Sequence, residues 1–160
     1  MSVTTTEIEE SLQILTATPR RIEALTKEMT EARLQAKADA NSWSANDLLA
    51  HLRACADVWG KNIAVILAED TPTIRHLSPR TWLRKTDYPS LSFHPSFAAF
   101  TAQRAALLTT LRGLTLTEWS RAAKIKDRQQ ERTVLDQVRQ LAQHEAGHWQ
   151  QLQDLCSRLP

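Results

Sequence analysis

The chain has 160 residues, 42% of them hydrophobic and 24% charged, with only three glycines. That length suits one domain with a real core, and that composition disfavours a turn-rich β sandwich. A net charge of +2, from 20 basic and 18 acidic residues interspersed along the chain, gives no electrostatic case for nucleic acid or an anionic membrane as partner.

Ile8, Leu12, Leu15, Ile22 and Leu25 recur at helical spacing within residues 6–29 and define one buried face. Pro19 interrupts that run, so a kink or two short helices meeting there is expected. Residues 30–42 hold helix formers but few apolar anchors, and their state stays open. A second helix has a clear start. Ser44 is a good N-cap, Asp47 completes a variant capping box, and Trp43 and Leu48 stand at the positions of a hydrophobic staple. Leu48, Leu52, Cys55, Trp59, Ile63, Ile66 and Leu67 then follow, with a stop near Asp70. His51 lies on the inner side of that pattern.

Pro72, Pro79, Pro89 and Pro95 exclude one continuous helix over residues 70–96. A short helix over 79–84 is expected there, inside a connection long enough to serve as a lid or wall. A third helix is expected over 96–112, with Phe97, Phe100, Leu107, Leu108 and Leu111 inward and Gly113 at its stop. The densest basic stretch, 121–132, also contains Asp127 and Glu131 and reads as a solvated loop. Thr133 then caps a last helix ending near Leu155, whose apolar face is Val134, Val138, Leu141, Trp149, Leu152 and Leu155. Four main helices with no convincing strand make an all-α four-helix bundle, a single domain over residues 1–160, with a proline-broken first helix and a long connection between helices two and three.

No apolar run approaches the roughly 20 residues of a bilayer span. The start MSVTTTEIEE lacks the pattern of a secretory signal, so a cytoplasmic protein is expected. Cys55 and Cys156 are too few for a disulfide framework and are expected as thiols.

The chemistry concentrates in LAQHEAGHWQQL, which places His144 and His148 four residues apart. On a helix their Cβ atoms stack about 6 Å apart, so both imidazoles can reach one ion. Their phase lies roughly 60 to 100° from the centre of the apolar stripe, at a seam between helices. A seam site needs a third ligand from a neighbour, and His51 is the available one. Imidazole nitrogen suits zinc, nickel, copper or iron, and three protein ligands leave a position open for water or substrate. Glu145 is central in phase and has three readings: proton handling at the metal, a buried pair with a cation such as Arg104, or half-exposure. Cys55, one turn after His51, is either a fourth ligand or a buried apolar thiol. Trp59 and Trp149 read as core residues, and His76 and His94 as surface residues beside turns. HEAGH also matches the H-E-x-x-H pattern of zinc metalloproteases. A protease of that kind needs a downstream ligand and a peptide-holding strand, and only 12 residues follow His148.

In these places the chain resembles the DinB superfamily, the DinB/YfiT-like metal-binding four-helix bundles. The resemblance rests on WSANDLLAHL ending near His51, on FAAFTAQRAALLTTLRGL with Arg104, on LAQHEAGHWQQL with His144 and His148, and on LTATPRRIEAL as a proline-broken first helix. It implies a metal triad of His51, His144 and His148, nickel or zinc with an open position, and a homodimer. KIKDRQQERTVLD departs from the pattern, lacking a glycine expected before the final helix. Relatives include thiol-dependent enzymes, so the resemblance implies a metal-dependent thiol transferase or hydrolase acting on a small-molecule substrate, with a low-molecular-weight thiol as partner; in such an enzyme Glu145, from its central phase, is the candidate catalytic proton carrier. The alternative is a non-catalytic, metal-stabilised binding or stress-response module.

Overall fold

The computed structural model describes residues 3–160. In chain order the helices are α1 (Thr5–Thr26), the short α2 (Glu31–Gln35), α3 (Ala45–Ala68), the short α4 (Pro79–Leu83), α5 (Phe93–Arg112), the single turn α6 (Leu116–Trp119) and α7 (Val134–Arg158). A 3-10 turn, Tyr88–Ser90, lies between α4 and α5. Both α7 and α5 pack against α1 and α3, so the long helices form a ring in the order α1–α7–α3–α5. This is the expected four-helix bundle. No helix among the described residues is long and apolar enough to cross a membrane.

Local chemistry sets the helix starts. Thr4, Ser44, Thr115 and Thr133 each complete a capping box with the acidic residue three positions on. One helix start moved from expectation. Helix α5 begins at Phe93, and Pro95 fits inside its first turn, where a backbone N–H is not needed. Gly113 does end α5, but with φ −84 it stays right-handed and makes no use of a glycine's left-handed freedom. Residues 30–42 resolve into α2, anchored by the buried Leu34.

Two separate helices do not form at Pro19, since α1 runs through it. Proline withholds the N–H that the Leu15 carbonyl would accept, and Arg104 Nη1 donates to that carbonyl instead, at 3.0 Å. A donor from another helix repairs the ladder.

The core falls into two apolar clusters. One gathers Leu15, Cys55, Trp59, Leu108, Leu111, Val138 and Leu141; the other gathers Ile22, Leu48, Leu52, Phe93, Phe100, Leu152 and Leu155. Between them α5 carries Arg104 and α7 carries Glu145, 2% and 0% exposed. Arg104 meets Glu145 through both terminal guanidinium nitrogens, Nη1 to Oε2 at 2.9 Å and Nη2 to Oε1. A polar layer therefore divides the bundle, and it fixes the rotation of α7 against α5.

The connection after α3 is tied down by one carboxylate. Asp57 accepts from Trp82 Nε1 at 2.9 Å, from the Tyr88 hydroxyl at 2.7 Å and from Gln103 Nε2 at 2.8 Å. Arg53 stacks its guanidinium on the Tyr88 ring at 3.8 Å. The expectation of no strand is overturned. A small sheet forms from β1 (Thr73–Ile74), β2 (Ala122–Ile125) and β3 (Glu131–Thr133), with β1 parallel to β2 and β2 antiparallel to β3. The basic stretch is thus a hairpin and not a loop. Arg121 at its start donates to the carbonyls of Ile66 and Glu69, capping the C-terminal end of α3.

Candidate metal centre

Two helices bring three imidazoles to one point. Residue 51 sits on the inner face of α3, two turns past the Ser44 cap, and residues 144 and 148 sit one turn apart on α7. His51 Nε2 lies 2.9 Å from His144 Nε2, which lies 3.0 Å from His148 Nε2. The ring centroids of His51 are 5.2 Å from His144 and 4.7 Å from His148. Cys55 Sγ is 3.4 Å from His51 Nε2.

This donor set fits a divalent metal ion. His144 Nε2 carries one hydrogen or one lone pair, so it cannot serve two facing Nε2 atoms well as an ordinary hydrogen-bond partner. A shared cation would instead take one lone pair from each ring. Imidazole nitrogens of this kind are ordinary ligands of zinc, nickel, copper or iron. The His51, Cys55 and His144 donor atoms all lie within 4.8 Å of one another, so a thiolate is a further possible ligand.

The surroundings favour the neutral imidazoles that ligation requires. Burial, then the charges of His148, His144 and Arg80, lowers the pKa of His51 to about 4. Burial, His148 and Arg80 also lower that of His144. Gln151 Oε1 lies 2.9 Å from His148 Nδ1; it accepts the Nδ1 proton and leaves Nε2 as the lone-pair nitrogen. His51 Nδ1, by contrast, is buried without a hydrogen-bond partner. Burial, reinforced by the charge of Glu145, pushes the Cys55 thiol well up from its ordinary value.

One side of the centre opens into a cavity of about 400 Å³, lined by His51, His144 and His148 together with Trp59, Ile74, Arg80, Arg128, Arg132 and Gln137. Its walls are α3, α7, the segment leading into α4, and the β2–β3 hairpin. A wider groove of about 500 Å³ runs along α1 past Arg20, Arg21 and Arg112, but no histidine or cysteine lines it.

Glu145 departs from the expected proton-handling role. Both its oxygens are engaged by Arg104, it is 0% exposed, and it does not line the cavity. That pairing also removes the glutamate base on which an H-E-x-x-H protease depends. Trp59 is core, as expected, and also sets its edge against His144 at 5.2 Å. Trp149 packs against the second cluster. His94 is exposed, whereas His76 is exposed and also lines the cavity. Sequence reasoning missed Trp43, read only as a staple. Its ring stacks on His148 at 6.1 Å and stands 5.1 Å from His51. The signal was available, because a staple residue at the N-terminus of α3 lies two turns from His51.

Comparison with known proteins agrees with this architecture. A family model described as DinB superfamily matches residues 14–152. Among solved structures, YfiT from Bacillus subtilis, described as a probable metal-dependent hydrolase with an unusual four-helix bundle topology, matches with a TM-score of 0.83. It is 20% identical, and the alignment covers 98% of this chain and 90% of that one. At that identity the likeness establishes the fold. No curated protein sequence matches the chain.

Proposed function

The chain belongs to the DinB superfamily, and from that premise we propose that it is a metal-dependent hydrolase whose His51, His144 and His148 hold one divalent ion, nickel or zinc. The observation that carries this reading is the convergence of three Nε2 atoms, two contacts of 2.9 and 3.0 Å, at the wall of a cavity. The likeness to a probable metal-dependent hydrolase supports it.

The chemistry such an ion supplies when bound is Lewis-acid activation of a water, or of a low-molecular-weight thiol, at neutral pH. Everything else falls to the chain. His51 and His144 are kept neutral by burial, and Gln151 holds the His148 ring in one tautomer. Trp43 and Trp59 shield the imidazoles from two sides. Glu145 acts as a positioning residue: locked to Arg104, it fixes the helical phase that aims His144, its neighbour in sequence, at His51.

The deciding experiment is elemental analysis of protein prepared without a histidine tag, alongside a His148→Ala variant. About one equivalent of nickel or zinc in the wild type, lost in the variant, is the expected result; full retention in the variant sinks the triad.

A second reading rests on Cys55 Sγ, 3.4 Å from His51 Nε2. With the thiolate as a fourth ligand the site closes, and the protein becomes a metal-stabilised module without turnover. Cobalt-loaded protein separates the two, because a thiolate ligand gives an intense near-ultraviolet charge-transfer band. The open-site reading requires that band to be absent and metal content to survive Cys55→Ala.

A further inference from the structure

Beyond the three histidines, the cavity wall has an uneven charge. Arg80 in the first turn of α4, Arg128 in the β2–β3 turn and Arg132 on β3 all line it, and no aspartate or glutamate does. The chain as a whole is nearly balanced, 20 basic against 18 acidic residues. Three other arginines do pair with carboxylates, Arg104 with Glu145, Arg139 with Glu7 and Arg158 with Asp39. Among the described residues the cavity's three arginines form no salt bridge.

The remaining polar lining continues the theme. Gln137 is 4% exposed, and its amide oxygen accepts from Asn62 Nδ2 at 3.2 Å. Its NH2 group is left as the free donor. Several guanidiniums and an amide donor without a carboxylate nearby suit an acceptor-rich, negatively charged ligand, which arginine holds in paired hydrogen bonds. The volume, about 400 Å³, is that of a small-molecule site.

We propose that this cavity takes a small oxyanionic substrate, carrying a carboxylate or a phosphate that Arg80, Arg128 and Arg132 hold while its reacting bond faces His51, His144 and His148. The direction of the substrate rests on the metal-centre reading above, whereas the binding of the anion does not. The small sheet then has a function: it delivers Arg128 and Arg132, distant from Arg80 in sequence, to the wall of the same cavity. All three arginines are at least partly exposed, so replacing them leaves the core intact.

The test is calorimetric titration of metal-loaded wild type and an Arg80→Gln/Arg132→Gln variant, with metal content measured in each sample. The probes are inorganic phosphate, succinate and the uncharged succinamide. Binding of phosphate or succinate but not of succinamide is expected in the wild type, weakened at least about tenfold in the variant at unchanged metal content. The preferred anion identifies the headgroup. Equal affinity in both proteins means that the anion sits on the metal alone, and overturns the proposal; so does failure of both anions to bind wild type. Arginine-dependent binding in a protein that holds no metal upholds the anion site and removes the metal-centre reading instead.

Discussion

Arg104 donates to the carbonyl of Leu15, the one acceptor in α1 that Pro19 leaves without its helical partner. The same guanidinium holds Glu145, so a proline in the first helix, an arginine in α5 and a glutamate in α7 form one buried chain of contacts. Removing Arg104 leaves two unsatisfied groups in the bundle interior, one of them charged. Arg104→Met is expected to cost about 3–5 kcal/mol in urea denaturation, and a double variant with Glu145→Leu to recover a large part of that loss. A double variant no more stable than Arg104→Met would show that the pair does not act as a unit.

Gln151 does not touch Nε2 of His148, the nitrogen proposed to bind metal, yet it fixes the ring by accepting from Nδ1 at 2.9 Å. Gln151→Leu is expected to weaken metal binding by about tenfold or more, measured by competition with a chelator, at unchanged melting temperature of the metal-free protein. Unchanged affinity would place the ring under the control of Trp43 stacking instead.

Acid should unfold the metal-free protein early. His51 titrates at about 4 in the fold, while an imidazole in the unfolded chain titrates near about 6.5. Between those values the unfolded chain takes up a proton that the folded one refuses. Stability is therefore full above about pH 6.5 and declines as pH falls towards 4. His144, lowered in the same direction, adds to the slope. Chelator-treated protein is expected to lose urea midpoint from pH 7.5 to pH 5, and His51→Asn to lose less over that range. A flat wild-type profile would contradict the buried neutral imidazole.

Asp57 ties α4, the Tyr88 turn and α5 to α3 with three hydrogen bonds. Hydrogen bonds to a charged acceptor are worth about 1.5–3 kcal/mol each. Asp57→Ala is expected to loosen that wall locally, giving faster limited proteolysis within residues 79–91 while α7 stays protected. Cleavage elsewhere, or none, would show that the clamp is not what holds the segment.

Much of this molecule was written in local pattern. Caps at Ser44 and Thr133, apolar spacing in all four long helices and the i,i+4 pair His144 and His148 act within a few residues, so a reader of the chain alone recovers the bundle and two of the three imidazoles that meet. The third, His51, could be named but not placed, because 93 residues separate it from His144. Whether those rings touch depends on how α3 packs against α7. The same holds for Glu145: its central phase in α7 allowed proton handling or a buried pair, and only the arrival of Arg104 on a neighbouring helix chose the pair. Strands of two to four residues carry too short an alternation to register, so the sheet and the two arginines it brings to the cavity emerged only in three dimensions. Periodicity is a property of contiguous residues, whereas charge pairing, strand pairing and metal-ligand convergence belong to segments brought together by packing, and there tertiary structure alone decided.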